Sequence, residues 1–395
     1  VAVGFTPIQA VAMASLGDTW AVTFGSLGTS FQTLIAVTGL PASELAPYSA
    51  LLLGIASFPS GILVAVIGNG WKSLKRAIPP VLLLSVVMGG VQYLLATNGL
   101  WTLGTTGAGL VGLVVGFFML RLPAYRPPGN HLHPAKSLSE LPQTNVHQDD
   151  GKSLWLAMIS YILLVLLAFG VNLFEPVRAF LGQVRFTLDF PEVVTRYGWV
   201  TPAEPGRAIN IFGHPGAILL YTCIISLVIY KATGYLESGA LNRIFNKVTR
   251  SGINSSLGIL AMVGLASIML HSGMTFLLAE GLSVSIGRDF YPLVAPLIGA
   301  LGAFITGSNT NSNVLFGALQ QNSAQLLKLA PALILAAQTA GGSVGSVLAP
   351  AKVIVGCSTV GLAGEEGMVM RKIIGYGLVP IATVALAAWI IHLLG

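Results

Sequence analysis

The stretch Gly307-Ser308-Asn309-Thr310-Asn311-Ser312-Asn313 sits between the apolar run Tyr291–Thr306 and the apolar residues Val314–Leu319. Small and amide residues at membrane depth cannot all be ordinary helix, because Ser and Asn side chains compete with the backbone for hydrogen bonds. A bare loop facing lipid is excluded too, since each unsatisfied amide there costs several kcal/mol. The stretch is therefore expected to be a helix tip or break lining a polar cavity, with N–H groups and side-chain amides aimed at a solute.

The surrounding composition puts that tip in a bilayer. Of 395 residues, 54% are hydrophobic and 9% charged, where a soluble domain carries about 25% charged residues. Apolar runs of roughly 20 residues between polar loops indicate helices, and the alternating pattern of a barrel is absent. The expected fold is an all-α membrane protein, a polytopic helical bundle with inverted repeats and broken helices or re-entrant hairpins. The formal net charge of +6 calls for no nucleic acid, because the basic residues gather in particular loops. Cys223 and Cys357 lie in apolar segments and suggest inert thiols, not a disulfide framework. The sequence opens inside an apolar segment without an initiator Met, so the chain is read as lacking an N-terminal part.

Five regions follow. Residues 1–39 hold an apolar segment leading into Gly17-Asp18-Thr19-Trp20 and on to Ser30, a second candidate broken helix. Residues 40–120 read as scaffold spans, with a helical hairpin closed at Asn98-Gly99. Residues 121–152 are a polar, Pro- and His-rich cytoplasmic linker. Residues 153–250 are scaffold again, with a charge-balanced external loop at 175–211 and a basic cytoplasmic segment at 231–250. Residues 251–395 contain the polar tip at 307–313 and a further expected break at 338–345. The loops at 70–77, 121–152 and 231–250 carry net positive charge and fall on one side when spans are counted, which places that side in the cytoplasm.

Two places share a pattern. Asp18-Thr19 is followed, six residues after the Thr, by Gly25; Gln338-Thr339 is followed at the same spacing by Gly345. Paired interruptions in two halves of a hydrophobic chain point to a carrier of inverted repeats with its solute site at their interface.

These residues resemble the L-lactate permease family of bacterial 2-hydroxymonocarboxylate transporters. Thr306-Gly307-Ser308-Asn309-Thr310-Asn311-Ser312-Asn313-Val314-Leu315-Phe316-Gly317-Ala318-Leu319-Gln320 is similar to that family's Thr-Gly-Ser-Asp-Thr-Ser-Ser-Asn-Ala-Leu-Phe-Ala-Ala-Leu-Gln. Ala336–Gly345 is similar to its Ala-Ala-Asn-Thr-Thr-Gly-Gly stretch, and Ala349–Gly361 continues the likeness. Gly4-Phe5, Pro7 and Asp18-Thr19 through Phe24-Gly25 fall where the family has Gly-Phe-x-Pro and then Asn-Thr-Ala-Pro-Val-Ala-Phe-Gly. The family's upstream Gly-Phe-Gly-Ala-Pro tip, the expected partner of 307–313, is not in this sequence. Asp18 stands for the family's Asn, Asn309 for its Asp and Gln338 for its Asn, so the acid has moved between motifs. Ser308-Asn309-Thr310 is also similar, at the level of fold, to the Ser-Asn-Thr hairpin tips of sodium-coupled dicarboxylate transporters.

The resemblance implies import of L-lactate or a related 2-hydroxymonocarboxylate (D-lactate, glycolate) by proton symport across the plasma membrane of a bacterium or archaeon. The alternative is a sodium-coupled or other organic-anion carrier of the same fold. No cofactor is implied beyond the coupling ion, H+ or else Na+. A small carboxylate needs donors and its hydroxyl needs polar partners. Ser308, Asn309, Thr310, Asn311, Ser312 and Asn313, with Gln338, Thr339 and Thr19, provide these without a fixed positive charge. Gly341 and Gly342 would let backbones approach closely or unwind, or simply pack helices. Asp18 lies inside an apolar segment, where an ionisable group is costly and by default marks an ion pathway. It is the proton-carrier candidate, with an N-cap on the following helix as the alternative; His271, at a span end, is the second titratable candidate. The linker histidines His131, His133 and His147 lack metal-ligand spacing. No nucleophile sits beside a base as an intramembrane enzyme would need, no Walker motif marks an ATP-driven engine, and a purely structural subunit would not keep costly amide-rich breaks. The scaffold, over roughly 47–250, is suited to a homodimer interface.

Overall fold

The computed structural model describes residues 4–125, 154–187, 189–196, 198–203, 209–362 and 364–394. From residue 126 the expected linker, with His131, His133 and His147, lies outside them. The described chain is helical: α1 (Pro7–Gly17), α2 (Gly25–Thr38), α3 (Ala42–Asn69), α4 (Leu74–Thr97), α5 (Gly104–Leu120), α6 (Leu154–Ala157), α7 (Ile159–Leu173), α8 (Glu175–Leu181), α9 (Pro215–Ala232), α10 (Ala240–His271), α11 (Met274–Ile286), α12 (Tyr291–Thr306), α13 (Asn309–Leu326), α14 (Pro331–Leu348), α15 (Pro350–Thr359) and α16 (Glu366–Leu394). Among the described residues six helices are long and apolar enough to cross a membrane, or up to eight if each of two bent pairs is one span. The chain is a polytopic helical membrane protein.

Two compact units divide it: Val1–Ser139 with Ser272–Gly395, and Glu140–His271. In the second, α7 packs on α9 and α8. Its loop carries four two-residue strands, β1 (Arg185–Phe186), β2 (Val193–Val194), β3 (Val200–Thr201) and β4 (Ile209–Asn210), paired antiparallel as β1 with β4 and β2 with β3.

The first unit is built around α14. Every residue from Ala332 to Leu348 is buried, as expected of a helix whose residues, hydrogen-bonded Gln338 apart, are apolar or small all round. Helices α12, α13, α3 and α16 pack against it. On α4 and α5 the side chains of Leu82, Val86, Leu94, Leu113 and Phe118 are exposed; with no water in a bilayer core, such faces suit lipid contact.

The break expected after α1 is present. The chain leaves the helix at Asp18, and Ser26, Leu27 and Gly28 then hold consecutive left-handed conformations (φ 50°, 57° and 71°). Phe31 N–H donates to Thr23 O across this turn (3.2 Å). The N-cap alternative for Asp18 is corrected: it caps the C-terminus of α1.

The break expected over 338–345 is corrected as well. That segment lies inside the continuous α14. Its glycines serve close packing, the second use foreseen for them. A Cβ at Gly341 would lie 2.0 Å from Pro296 O, and one at Gly345 2.1 Å from Ala300 O, so the α12 backbone fills the space that side chains would take. The interruption comes later, at Ala349, whose extended backbone (φ −64°, ψ 140°) separates α14 from Pro350 at the start of α15.

Candidate functional site

The polar stretch forms the tip of a hairpin between α12 and α13. Gly307 closes α12 in the left-handed conformation (φ 77°) with its N–H on Ala303 O (2.9 Å), a helix end that glycine adopts without a Cβ penalty. Ser308 is extended and caps α13, its Oγ accepting from Asn311 N–H (3.4 Å). The tip is thus a two-residue turn, and Asn309–Asn313 form the first turn of α13, whose leading N–H groups have no intrahelical partner.

Thr339, fully buried on α14, is the hub below this tip. Its Oγ1 accepts from Asn313 Nδ2 (2.9 Å) and Asn309 Nδ2 (3.3 Å) and lies 3.4 Å from Thr23 Oγ1. Thr23, in the break after α1, donates to Thr339 O (3.1 Å) and accepts from Asn309 Nδ2 (3.0 Å). Asn313 Nδ2 also donates to Ser30 O on α2 (3.0 Å), and Ser30 Oγ pairs with Thr310 Oγ1 (3.0 Å). The tip of one helix and the break of another therefore meet on α14.

These bonds set the orientation of both amides. Ser30 O can only accept, so it requires Nδ2 of Asn313, and Thr23 Oγ1, committed as a donor to Thr339 O, requires Nδ2 of Asn309. The two oxygens, Asn309 Oδ1 and Asn313 Oδ1, are then left buried without a partner among the described residues. Leaving a buried acceptor unsatisfied costs about 1–3 kcal/mol, so each is an open position for a donor.

Two more layers extend the network along α14. In one, Gln338 Nε2 donates to Ser312 Oγ (3.1 Å), Gln320 Nε2 to Gln338 Oε1 (3.1 Å), and Tyr291 OH to Gln320 Oε1 (3.0 Å). Ser312 Oγ donates to Gly299 O (2.8 Å). Gln338 and Ser312 are thus bonded within the protein. In the other layer, Ser343 Oγ donates to Thr19 O (2.5 Å), Ser346 Oγ to Ser343 O (2.9 Å), and Lys352 Nζ to Ser346 Oγ (3.3 Å). Thr19 Oγ1 pairs with Ser60 Oγ on α3 (2.6 Å). Thr339, Ser343 and Ser346 are spaced as one face of a helix.

Most of the sequence-predicted residues are gathered here. Asn309, Ser312, Asn313, Gln338, Thr339 and Thr19 are buried in the network, whereas Ser308, Thr310 and Asn311 are half-buried on the tip. Gly342 backs Asn309, whose Oδ1 would lie 2.2 Å from a Cβ there. Asp18 stays exposed beside buried Thr19. His271 closes α10, in the second unit. Sequence reasoning missed Thr23, Ser30, Ser343, Ser346 and Lys352. Lys352 stands exposed in the first turn of α15, its Nζ on Ser346 Oγ, at the edge of the network and not among the tip residues. Its sequence signal was a lone cation between apolar residues just after Pro350.

The family model described as L-lactate permease matches residues 1–395. An L-lactate permease of Bacillus subtilis (strain 168) is 25% identical over 421 residues, covering 99% of this chain and 73% of the relative. An L-lactate permease of Escherichia coli (strain K12) is 26% identical over 399 residues, covering 96% and 70%. The glycolate permease GlcA of the same strain is 25% identical over 401 residues, covering 96% and 70%. No solved structure matches. With the motif at the hairpin tip and the full-length match in agreement, the chain belongs to the L-lactate permease family.

Proposed function

We propose that the protein carries L-lactate, or a related 2-hydroxymonocarboxylate such as D-lactate or glycolate, across the plasma membrane of a bacterium or archaeon by proton symport. The observation that carries this reading, beyond family membership, is the pair of unpartnered oxygens Asn309 Oδ1 and Asn313 Oδ1 under a helix N-terminus. A 2-hydroxycarboxylate has an anionic end, suited to the leading amides and partial positive charge of α13, and a hydroxyl donor, suited to a bare amide oxygen. Ser308, Thr310 and Asn311 complete the tip side, Thr339 with Thr23 and Ser30 holds the two amides in place, and Gln338, Ser312 and Thr19 extend the network along α14. Gly341 and Gly342 keep α12 and the Asn309 side chain close to the hub. Asp18 is the proton carrier in this reading and His271 the second titratable group. The transport repeats are 1–39 and 251–395 and the scaffold 40–120 and 153–250, the latter suited to a homodimer contact.

Neutral oxygens without a donor would equally suit a sodium ion, which prefers oxygen ligands, and this supports a second reading of sodium coupling. Uptake of labelled L-lactate and of labelled glycolate into proteoliposomes separates the two. Accumulation driven by an inward proton gradient, and insensitive to sodium, is the expected result; accumulation driven only by sodium favours the second reading. No uptake of lactate or glycolate under either gradient overturns the substrate assignment.

A further inference from the structure

The charged pair at the edge of the network has no part in the hub. Asp18 ends α1, Lys352 begins α15, and the two helices pack together. The charges interact without forming a direct ion pair, and both side chains keep solvent access. Neither is placed for helix stability: an acid at a helix C-terminus and a base at an N-terminus both oppose the macrodipole. The ammonium of Lys352 carries three donors, and its one hydrogen bond among the described residues goes to Ser346 Oγ at 3.3 Å.

The helix turn that carries Lys352 also adjoins the tip, through its neighbour Ala351. A Cβ on Gly307 would lie 3.8 Å from that of Ala351, the residue before Lys352, so the hairpin turn and the first turn of α15 touch. Buried Val353 and Cys357 anchor the other face of α15, which leaves Lys352 on the solvent-accessible side. The helices packed on α15 add little competing charge. α14 has none, α1 has none but its cap, and α16 contributes Glu366, Arg371, Lys372 and His392. Glu366 accepts from Gly364 N–H at the far end of the α15–α16 connection (3.0 Å).

The geometry points to Lys352 as the residue that receives the substrate's carboxylate at the mouth of the hairpin tip, with Asp18 as the resident carboxylate that balances it when no substrate is present. This rests on the carboxylate-carrier reading above and adds what the tip lacks, a full positive charge. Binding then exchanges one carboxylate for another in the field of Lys352. Selectivity for an anion over its neutral amide resides in this one side chain.

The test is thermal unfolding of the purified full-length protein with potassium salts of L-lactate, glycolate and propionate, and with neutral lactamide. A ligand that binds only the folded state raises the midpoint. The wild type is expected to respond to carboxylates and not to lactamide. K352M should weaken the carboxylate response by about ten- to a hundredfold in concentration, as for loss of one hydrogen bond to a charged group, and K352R should restore most of it. D18N, which keeps Lys352, should respond at lower carboxylate concentration because its competitor is gone. Should K352M not fold, K352Q replaces it in the same assay. A K352M protein with the wild-type response overturns the inference and leaves the carrier reading standing. A D18N protein that loses the response overturns it also, by making Asp18 the binding group. If the wild type responds only to other carboxylates and K352M to none, the inference holds and the lactate or glycolate assignment falls. If the wild type responds to no carboxylate, both fall.

Discussion

Asp18-Thr19 with Gly25, and Gln338-Thr339 with Gly345, share a spacing and meet at the same place, yet one lies in a broken helix and the other in a continuous one. The difference is what stands opposite the glycines. No heavy atom lies within 4 Å of a Cβ built on Gly25, whereas Gly341 and Gly345 face backbone carbonyls of α12 at about half that distance. A glycine in a helix costs about 1 kcal/mol relative to alanine. In α14 the close approach of two backbones offsets it, as is common between membrane helices. At Gly25 nothing does so, and the chain turns left-handed through Ser26, Leu27 and Gly28, where a ring of Trp101, not a second helix backbone, occupies the space beside Gly28. The glycine-bearing motif on α14 is a contact because a helix backbone stands against it.

Hydrogen exchange reads the difference most directly. Amides in 338–345 should exchange at least about a hundredfold more slowly than those in 18–28, because core helices open only near the global unfolding energy. Comparable rates would mean that α14 opens locally and that the two motifs behave alike. Gly345→Ala, or Gly341→Ala, should destabilise the protein by about 3 kcal/mol, the upper end of overpacking, since a carbonyl cannot move aside as a side chain can. A variant with an unchanged unfolding midpoint would show that α12 does not hold α14 straight.

Thr339→Val probes where the two motifs join. Removing Oγ1 takes an acceptor from both Asn309 and Asn313, each of which keeps another partner through Nδ2. A loss of about 1–2 kcal/mol is expected, with Thr339→Ser close to wild type in the same denaturation assay. The smallest effect concerns the break itself. Ser26 is exposed at φ 50°, a conformation costing an L-residue roughly 1–2 kcal/mol. Ser26→Gly should therefore raise stability by about 1 kcal/mol, part of the relief being lost to the freer unfolded chain. A decrease would show that the left-handed turn needs the Ser side chain.

The hairpin tip was legible because its causes are local. Gly307 supplies the left-handed helix end and Ser308 the cap, so two adjacent residues specify turn and helix start. The departure from helix at Asp18 was legible for a similar reason, polar and small residues following an apolar run. The partners of the tip were only partly legible. Asn309 finds Thr23, and Asn313 finds Ser30, across more than 280 positions. Nothing in the spacing of Thr23 and Ser30 singled them out from other hydroxyls. Lys352 was passed over because a lone lysine after a proline looks like a loop charge until Asp18 and Gly307 are seen beside it.

The sequence by itself determined that this chain is a polytopic helical membrane protein, that polar residues at 307–313 make a helix tip, and which family it belongs to. Those features follow from hydropathy, residue conformational preference and motif identity, all carried by neighbours along the chain. Only the tertiary structure decided that 338–345 stays helical, that Thr339 gathers two amides and a second helix break, and that α15, which carries Lys352, packs on α1, which Asp18 ends. Each of these depends on which backbone or side chain arrives from far away in the sequence to fill the space beside a glycine, a hydroxyl or a charge.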